Sequence, residues 1–199
     1  MTEPALKFPQ RDAENWPAQG AWTYEDYCRL PDDGNRYEVI RGNLYVTAAP
    51  IPEHQFTILK LSRYLDEFVS AAGLGMVLTA PLDVMLPAGI GSPVQPDVVF
   101  FRKGNEPRRG MRYCEEAPDL LVEVLSPGTR RRDRTVKLKA YRDAGVPEYW
   151  LVDPESRTVE VHVLESGKYV ERSRGGVGDA IGSSVLPGFQ VNVASLFMP

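Results

Sequence analysis

The chain has 199 residues, 43% hydrophobic and 25% charged, with 23 Lys and Arg against 27 Asp and Glu for a net charge of −4. These ordinary values exclude a long disordered chain, a collagen and a disulfide scaffold, and the length suits one domain with a sizeable core. Two distant cysteines without a CxxC pair exclude a zinc ribbon, and a polar N-terminus with no run of ~20 apolar residues predicts a cytoplasmic protein without signal peptide or membrane span.

In chain order, residues 1–21 read as a flexible, proline-containing tail ahead of a single domain spanning 22–199. Thr23 is placed to cap a short helix over 24–30, with Glu25 and Asp26 in its first turn. Runs 37–40 and 44–47 flank Arg41-Gly42-Asn43 and read as a hairpin. Pro50 and Pro52 open a helix in which Ile58, Leu61, Leu65 and Phe68 share a face, and Gly73 and Gly75 end it. Strands are predicted at 76–86, 94–101 and 120–125, with a basic loop at 102–112. A second helix follows over 130–144, stopped by Gly145 and Pro147. A strand at 148–152, a meander at 158–164 and 168–172, and an edge piece within 185–193 complete the chain. This order predicts one α/β (α+β) domain: a mixed sheet flanked by helices, with an N-terminal hairpin and a C-terminal antiparallel meander.

Charge is unevenly spread. Residues 102–143 hold twelve basic residues against seven acids, a local +5 that leaves −9 for the rest. Arg108 and Arg109 in the loop, with Arg130, Arg131, Arg132 and Arg134 at the helix start, form a candidate phosphate-binding face; the competing reading is a solvated helix face. Asp97 and Glu123 each interrupt a run that is apolar on both faces. A buried carboxylate there is costly unless paired or metal-bound. Three explanations stand: an ion pair with an arginine of the second helix, a strand end less buried than it looks, or two carboxylates on neighbouring strands sharing Mg²⁺ or Mn²⁺. Lys137 shares a helix face with Asp133 and Tyr141 and could orient a water and stabilise charge on a phosphate. Ser126 and Thr129 read as caps of the basic helix.

These residues resemble the PD-(D/E)XK nuclease superfamily. The stretches Arg36-Tyr37-Glu38-Val39-Ile40-Arg41-Gly42, His54-Gln55, Gln95-Pro96-Asp97, Pro118-Asp119-Leu120-Leu121-Val122-Glu123-Val124-Leu125-Ser126-Pro127 and Gly145-Val146-Pro147-Glu148-Tyr149-Trp150 together look like the Uma-type restriction-endonuclease family, over most of the chain. The resemblance implies a restriction-endonuclease-like fold and a Mg²⁺- (or Mn²⁺-) dependent phosphodiesterase acting on DNA, with RNA as the alternative, as a homodimer. It implies Asp97, Glu123 and Val124 at the metal and Glu38 as a further acid. The lysine that the superfamily carries two residues after the Glu is Leu125 here, and Lys137 matches a lysine moved to the following helix, with Lys139 its rival. His54 and Tyr141 are further candidates. Other classes stay open: a non-catalytic nucleic-acid- or partner-binding module on the same fold, and a phosphoesterase of small nucleotides.

Overall fold

The apolar runs at Val98–Phe101 and Leu120–Val122 become neighbouring strands of one sheet. The structure is a computed structural model and describes residues 16–198. Helix α1 (Tyr24–Tyr27) starts at a reciprocal cap: Thr23 accepts from the Asp26 N–H while the Asp26 carboxylate accepts from the Thr23 N–H. Strands β1 (Arg36–Ile40) and β2 (Asn43–Thr47) form the hairpin, and α2 (Pro52–Ala72) follows, closed by Gly73 in the left-handed conformation. Then come β3 (Gly75–Thr79), β4 (Val84–Leu86), β5 (Gly91–Val94), β6 (Val98–Arg102) and β7 (Leu120–Val124). Helix α3 runs on from Arg130–Arg132 through a wide π turn, Asp133–Lys137, into Leu138–Asp143. Strands β8 (Glu148–Asp153), β9 (Thr158–Glu165), β10 (Lys168–Gly175), β11 (Ala180–Gly182) and β12 (Gln190–Asn192) finish the chain.

Six strands pair in the order β10-β9-β8-β7-β6-β3, parallel only between β7 and β8, which α3 connects as a crossover. A second sheet runs β2-β1-β5-β4, and β11 pairs with β12. The two faces of the large sheet follow from the two-residue period of a strand. Val98, Phe100, Leu120, Val122, Trp150 and Val152 pack against the apolar stripe of α2, Ile58, Leu61, Leu65 and Val69. The alternate residues Val99, Phe101, Leu121, Tyr149 and Leu151 pack against Tyr141 of α3 and Ile40, Val84 and Val94 of the small sheet.

Several expected elements change at prolines. The expected strand 76–86 is two strands in different sheets, and 94–101 is likewise divided between β5 and β6. Pro81 and Pro96 stand at these breaks, where the missing N–H cannot continue a ladder. The glycine- and proline-containing stretch ahead of the expected strand 94–101 holds most of β5, which pairs with β4 and, at Gly91, with Ile40 of β1. Gly75 opens β3 rather than ending α2, and a Cβ there would stand 2.0 Å from the Phe101 carbonyl oxygen. Residues 1–15 of the expected tail lie outside the described residues. Trp16 stacks on Trp22 at 5.3 Å between ring centroids, and Gln19 and Gly20 bond to Leu44 and Gly42 of the hairpin. Among the described residues no helix is long and apolar enough to cross a membrane.

Candidate active site

Strand register brings the two carboxylates together. In the antiparallel pair β6–β7, Val98 opposes Val122; one step further out, Asp97 falls opposite Glu123. Both have odd numbers, like Val99 and Leu121, so both turn toward α3 and the small sheet. Asp97 is buried and held on three sides. Arg36 Nη1 donates to Oδ1 at 2.7 Å, the Val124 N–H donates to Oδ2 at 2.8 Å, and His54 Nε2 stands 3.3 Å from Oδ2. Glu123 is equally buried. Its Oε1 accepts from Lys137 Nζ at 2.7 Å and from the Tyr141 hydroxyl at 2.6 Å.

Lys137 is 1% exposed, and its ammonium bridges Glu123 to Glu38 Oε1, 2.8 Å away. Glu38 Oε1 also accepts from the Gln95 N–H at 2.8 Å, and Arg132 Nη2 lies 3.5 Å from its other oxygen. Asp133, four residues before Lys137, is buried with its Oδ1 3.9 Å from the ammonium and without a hydrogen-bond partner. Arg36, His54, Asp97, Glu123, Val124, Arg132, Asp133 and Lys137 all line one cavity of about 390 Å³. The stem of α3, Ser126 to Thr129, closes one side, where the two hydroxyls pair at 3.0 Å rather than capping helix N–H groups.

Four acids and three cations thus share a buried space, a net of −1 with His54 neutral. Burial pushes the Glu123 carboxyl up to about 8, and the charges of Asp97, Asp133 and Glu38 add to the effect against the pull of Lys137. Burial also raises Asp133. It opposes ionisation of Asp97 too, but the His54 hydrogen bond and the Arg36 guanidinium outweigh it and hold that carboxyl well below the usual range. Lys137, Arg132 and Arg36 together overcome burial at Glu38 and lower it. Lys137 stays cationic because Glu123, Glu38 and Asp133 surround it. A proton on Glu123 is the one that closes the charge balance.

With that geometry in hand, comparison with known proteins is decisive about kinship. A family model described as "Uma2: Putative restriction endonuclease" matches residues 24–194. The chain belongs to the Uma2 family. Among solved structures it is similar to the crystal structure of a "putative nuclease belonging to DUF820" from Anabaena variabilis, at 18% sequence identity and a TM-score of 0.73, over 88% of this chain and 97% of that one. That likeness shows a shared fold. No curated protein matches.

Within this Uma2 fold, Asp97, Glu123, Val124, Lys137, Glu38, His54 and Tyr141 are brought together. Lys139 is exposed on another face of α3. Of the six expected phosphate-binding arginines, Arg132 lines the cavity and the other five do not. Arg130 is bound to Asp153 and Glu155, and Arg134 makes a bidentate pair with Glu160. Arg132 turns inward to Glu38 and Thr47, while Arg131 is exposed on the helix. Arg108 and Arg109 are exposed on the loop between the C-terminal end of β6 and the start of β7, the strand ends opposite Asp97 and Glu123.

Two participants escaped the sequence reading. Arg36 sits two residues before Glu38 on β1 and so shares its face, which the strand period would have revealed. Asp133 was placed on the Lys137 face but given no role. Among the described residues, the tightest group of metal-ligand atoms lies elsewhere, at Glu160, His162 and Glu171. There Glu160 is already taken by Arg134 and Arg174.

Proposed function

We propose that this Uma2 protein is a divalent-cation-dependent DNA endonuclease, with Asp97 and Glu123 holding the cation and Lys137 directing the attacking water. One observation carries the reading. Two buried carboxylates on adjacent strands and a buried lysine share one cavity, although each alone would be expelled from an apolar core. The donor set fits Mg²⁺ or Mn²⁺: hard carboxylate oxygens, and a Glu123 whose proton a cation displaces, leaving the group at −1 to receive it. A bound divalent ion supplies Lewis acidity toward a phosphoryl oxygen and lowers the pKa of water.

The chain's own groups do the rest. Two of the three ammonium protons of Lys137 are used by Glu38 and Glu123; the third is free to bond the incoming water or a phosphate oxygen. In hydrolysis the water oxygen bonds to phosphorus as the bond to the leaving sugar oxygen breaks. The water gives up one proton and the leaving oxygen takes one from solvent. Arg36 and His54 fix Asp97, and Tyr141 fixes Glu123. With Arg130, Arg132 and Arg134 engaged by acids of the fold, these three are committed internally, and DNA affinity with a modest salt dependence is the consequence. Cutting both strands needs two such cavities, hence a homodimer.

The test is supercoiled DNA incubated with Mg²⁺ or Mn²⁺ and wild type or Glu123→Ala. Nicking by wild type alone is expected. Equal nicking by both proteins, or none by wild type with either ion, overturns the assignment.

A further inference from the structure

We infer that Asp133 is a positioning residue that takes over the Lys137 ammonium when a cation binds Glu123. This rests on the metal-site reading above. In the structure the ammonium is itself the cation at Glu123, 2.7 Å from Oε1. A divalent ion on the same carboxylate would face that like charge at close range in a buried space, where Coulomb repulsion is strong. The ammonium therefore has to yield Glu123, and the fold offers it one short path.

Asp133 Oδ1 is the destination. It is buried, lies 3.9 Å from Nζ and has no hydrogen-bond partner. A buried acceptor left unmade is costly, and a native fold rarely carries one without a use. Closing 3.9 Å to an ordinary N–H···O distance needs a shift of about 1 Å. Glu38 Oε1, 2.8 Å from Nζ, serves as the pivot that keeps the ammonium in place during the move. The Thr129 hydroxyl already bonds the Asp133 carboxylate but leaves Oδ1 unmade, and the arginine beside it is committed or too far. Arg132 Nη2 bonds to Thr47, and Arg132 Nε stands 4.0 Å from Oδ1. The π turn has Asp133 at one end and Lys137 at the other, both buried, while the three residues between them are not. Wide turns of this kind recur at functional sites. The cation-free state thus leaves Asp133 Oδ1 without a hydrogen bond, and loading the site supplies one.

The experiment titrates Mn²⁺ alone into wild type, Asp133→Asn and Glu123→Gln, by calorimetry at one pH without nucleic acid, with thermal unfolding of each metal-free protein alongside. Wild type is expected to bind and Glu123→Gln to lose binding. Asp133→Asn should bind about tenfold more weakly, as expected for a residue one shell behind a ligand. Yet without metal it should unfold no earlier than wild type, because Asn keeps an acceptor for the Thr129 hydroxyl, the replaced Oδ1 had no hydrogen bond to lose, and Glu38 and Glu123 still hold the ammonium. In a Lys137→Met background the Asp133→Asn penalty should vanish, since no ammonium needs a seat; where that background does not fold, the first two readouts decide. Equal Mn²⁺ affinity of wild type and Asp133→Asn overturns the inference. So does early unfolding of metal-free Asp133→Asn, which marks a structural prop. Failure of wild type to bind Mn²⁺ is the distinct result that sinks the metal site itself, and this inference with it.

Discussion

Glu123→Gln is the substitution whose effect should reverse with conditions. In the folded chain the Glu123 carboxyl titrates near 8, against 4.5 for an unperturbed Glu. Between those values the folded state keeps a proton that the unfolded state has released. Stability therefore falls as pH rises through that window, by about 1.4 kcal/mol per unit. Across the whole interval the loss is at most about 5 kcal/mol. Gln cannot ionise, so the variant lacks this slope. It is also a close structural match: both donors, Lys137 Nζ and the Tyr141 hydroxyl, meet the same oxygen, Oε1, which the Gln carbonyl can supply. The expected result without metal is near-equal stability at pH 5 and a Gln variant more stable by a few kcal/mol at pH 8.5. Adding Mn²⁺ should invert the order, because only wild type gains ligand stabilisation. Urea unfolding at pH steps from 5 to 9, with and without Mn²⁺, measures it. A wild-type-to-variant difference that stays flat across that range refutes the reasoning.

Two further outcomes follow from the same charges. Lys137→Met strips the buried Glu38 and Glu123 of their common cation and should cost about 3–5 kcal/mol in urea unfolding, while Lys139→Ala, an exposed change, should alter neither stability nor cleavage. Arg36→Met should weaken the acid limb of stability. Asp97 is held below its unfolded pKa of 3.8, so its contribution is present above that value and lost as pH falls below it; the variant's stability should decline less steeply on acidification from pH 5 to 2.

Much of this site was readable beforehand because it obeys local periods. Alternation along the strands put Asp97 and Glu123 on one face, and helical spacing chose Lys137 over Lys139. The internal pairing of Arg130 and Arg134 was hidden because their partners, Asp153, Glu155 and Glu160, come from β8, the turn after it and β9, and only the fold brings these to α3. A run of basic residues shows charge but not whether that charge is already spent. The small sheet was obscured for a different reason: its strands β4 and β5 are short and sit beside prolines and glycines that read as turns. The burial of Glu38 depends on that sheet and on Lys137, nearly a hundred residues away, so no local pattern reveals it.

The bridging ammonium also sets when the site can exist during synthesis. A nascent chain that stops before residue 130 already carries Glu38, Asp97 and Glu123 but none of the α3 groups that neutralise or hold them. Such a chain cannot bury its three acids around one cavity. The candidate pocket therefore matures only after α3 has left the ribosome, and a product truncated before it is left with unburied acids.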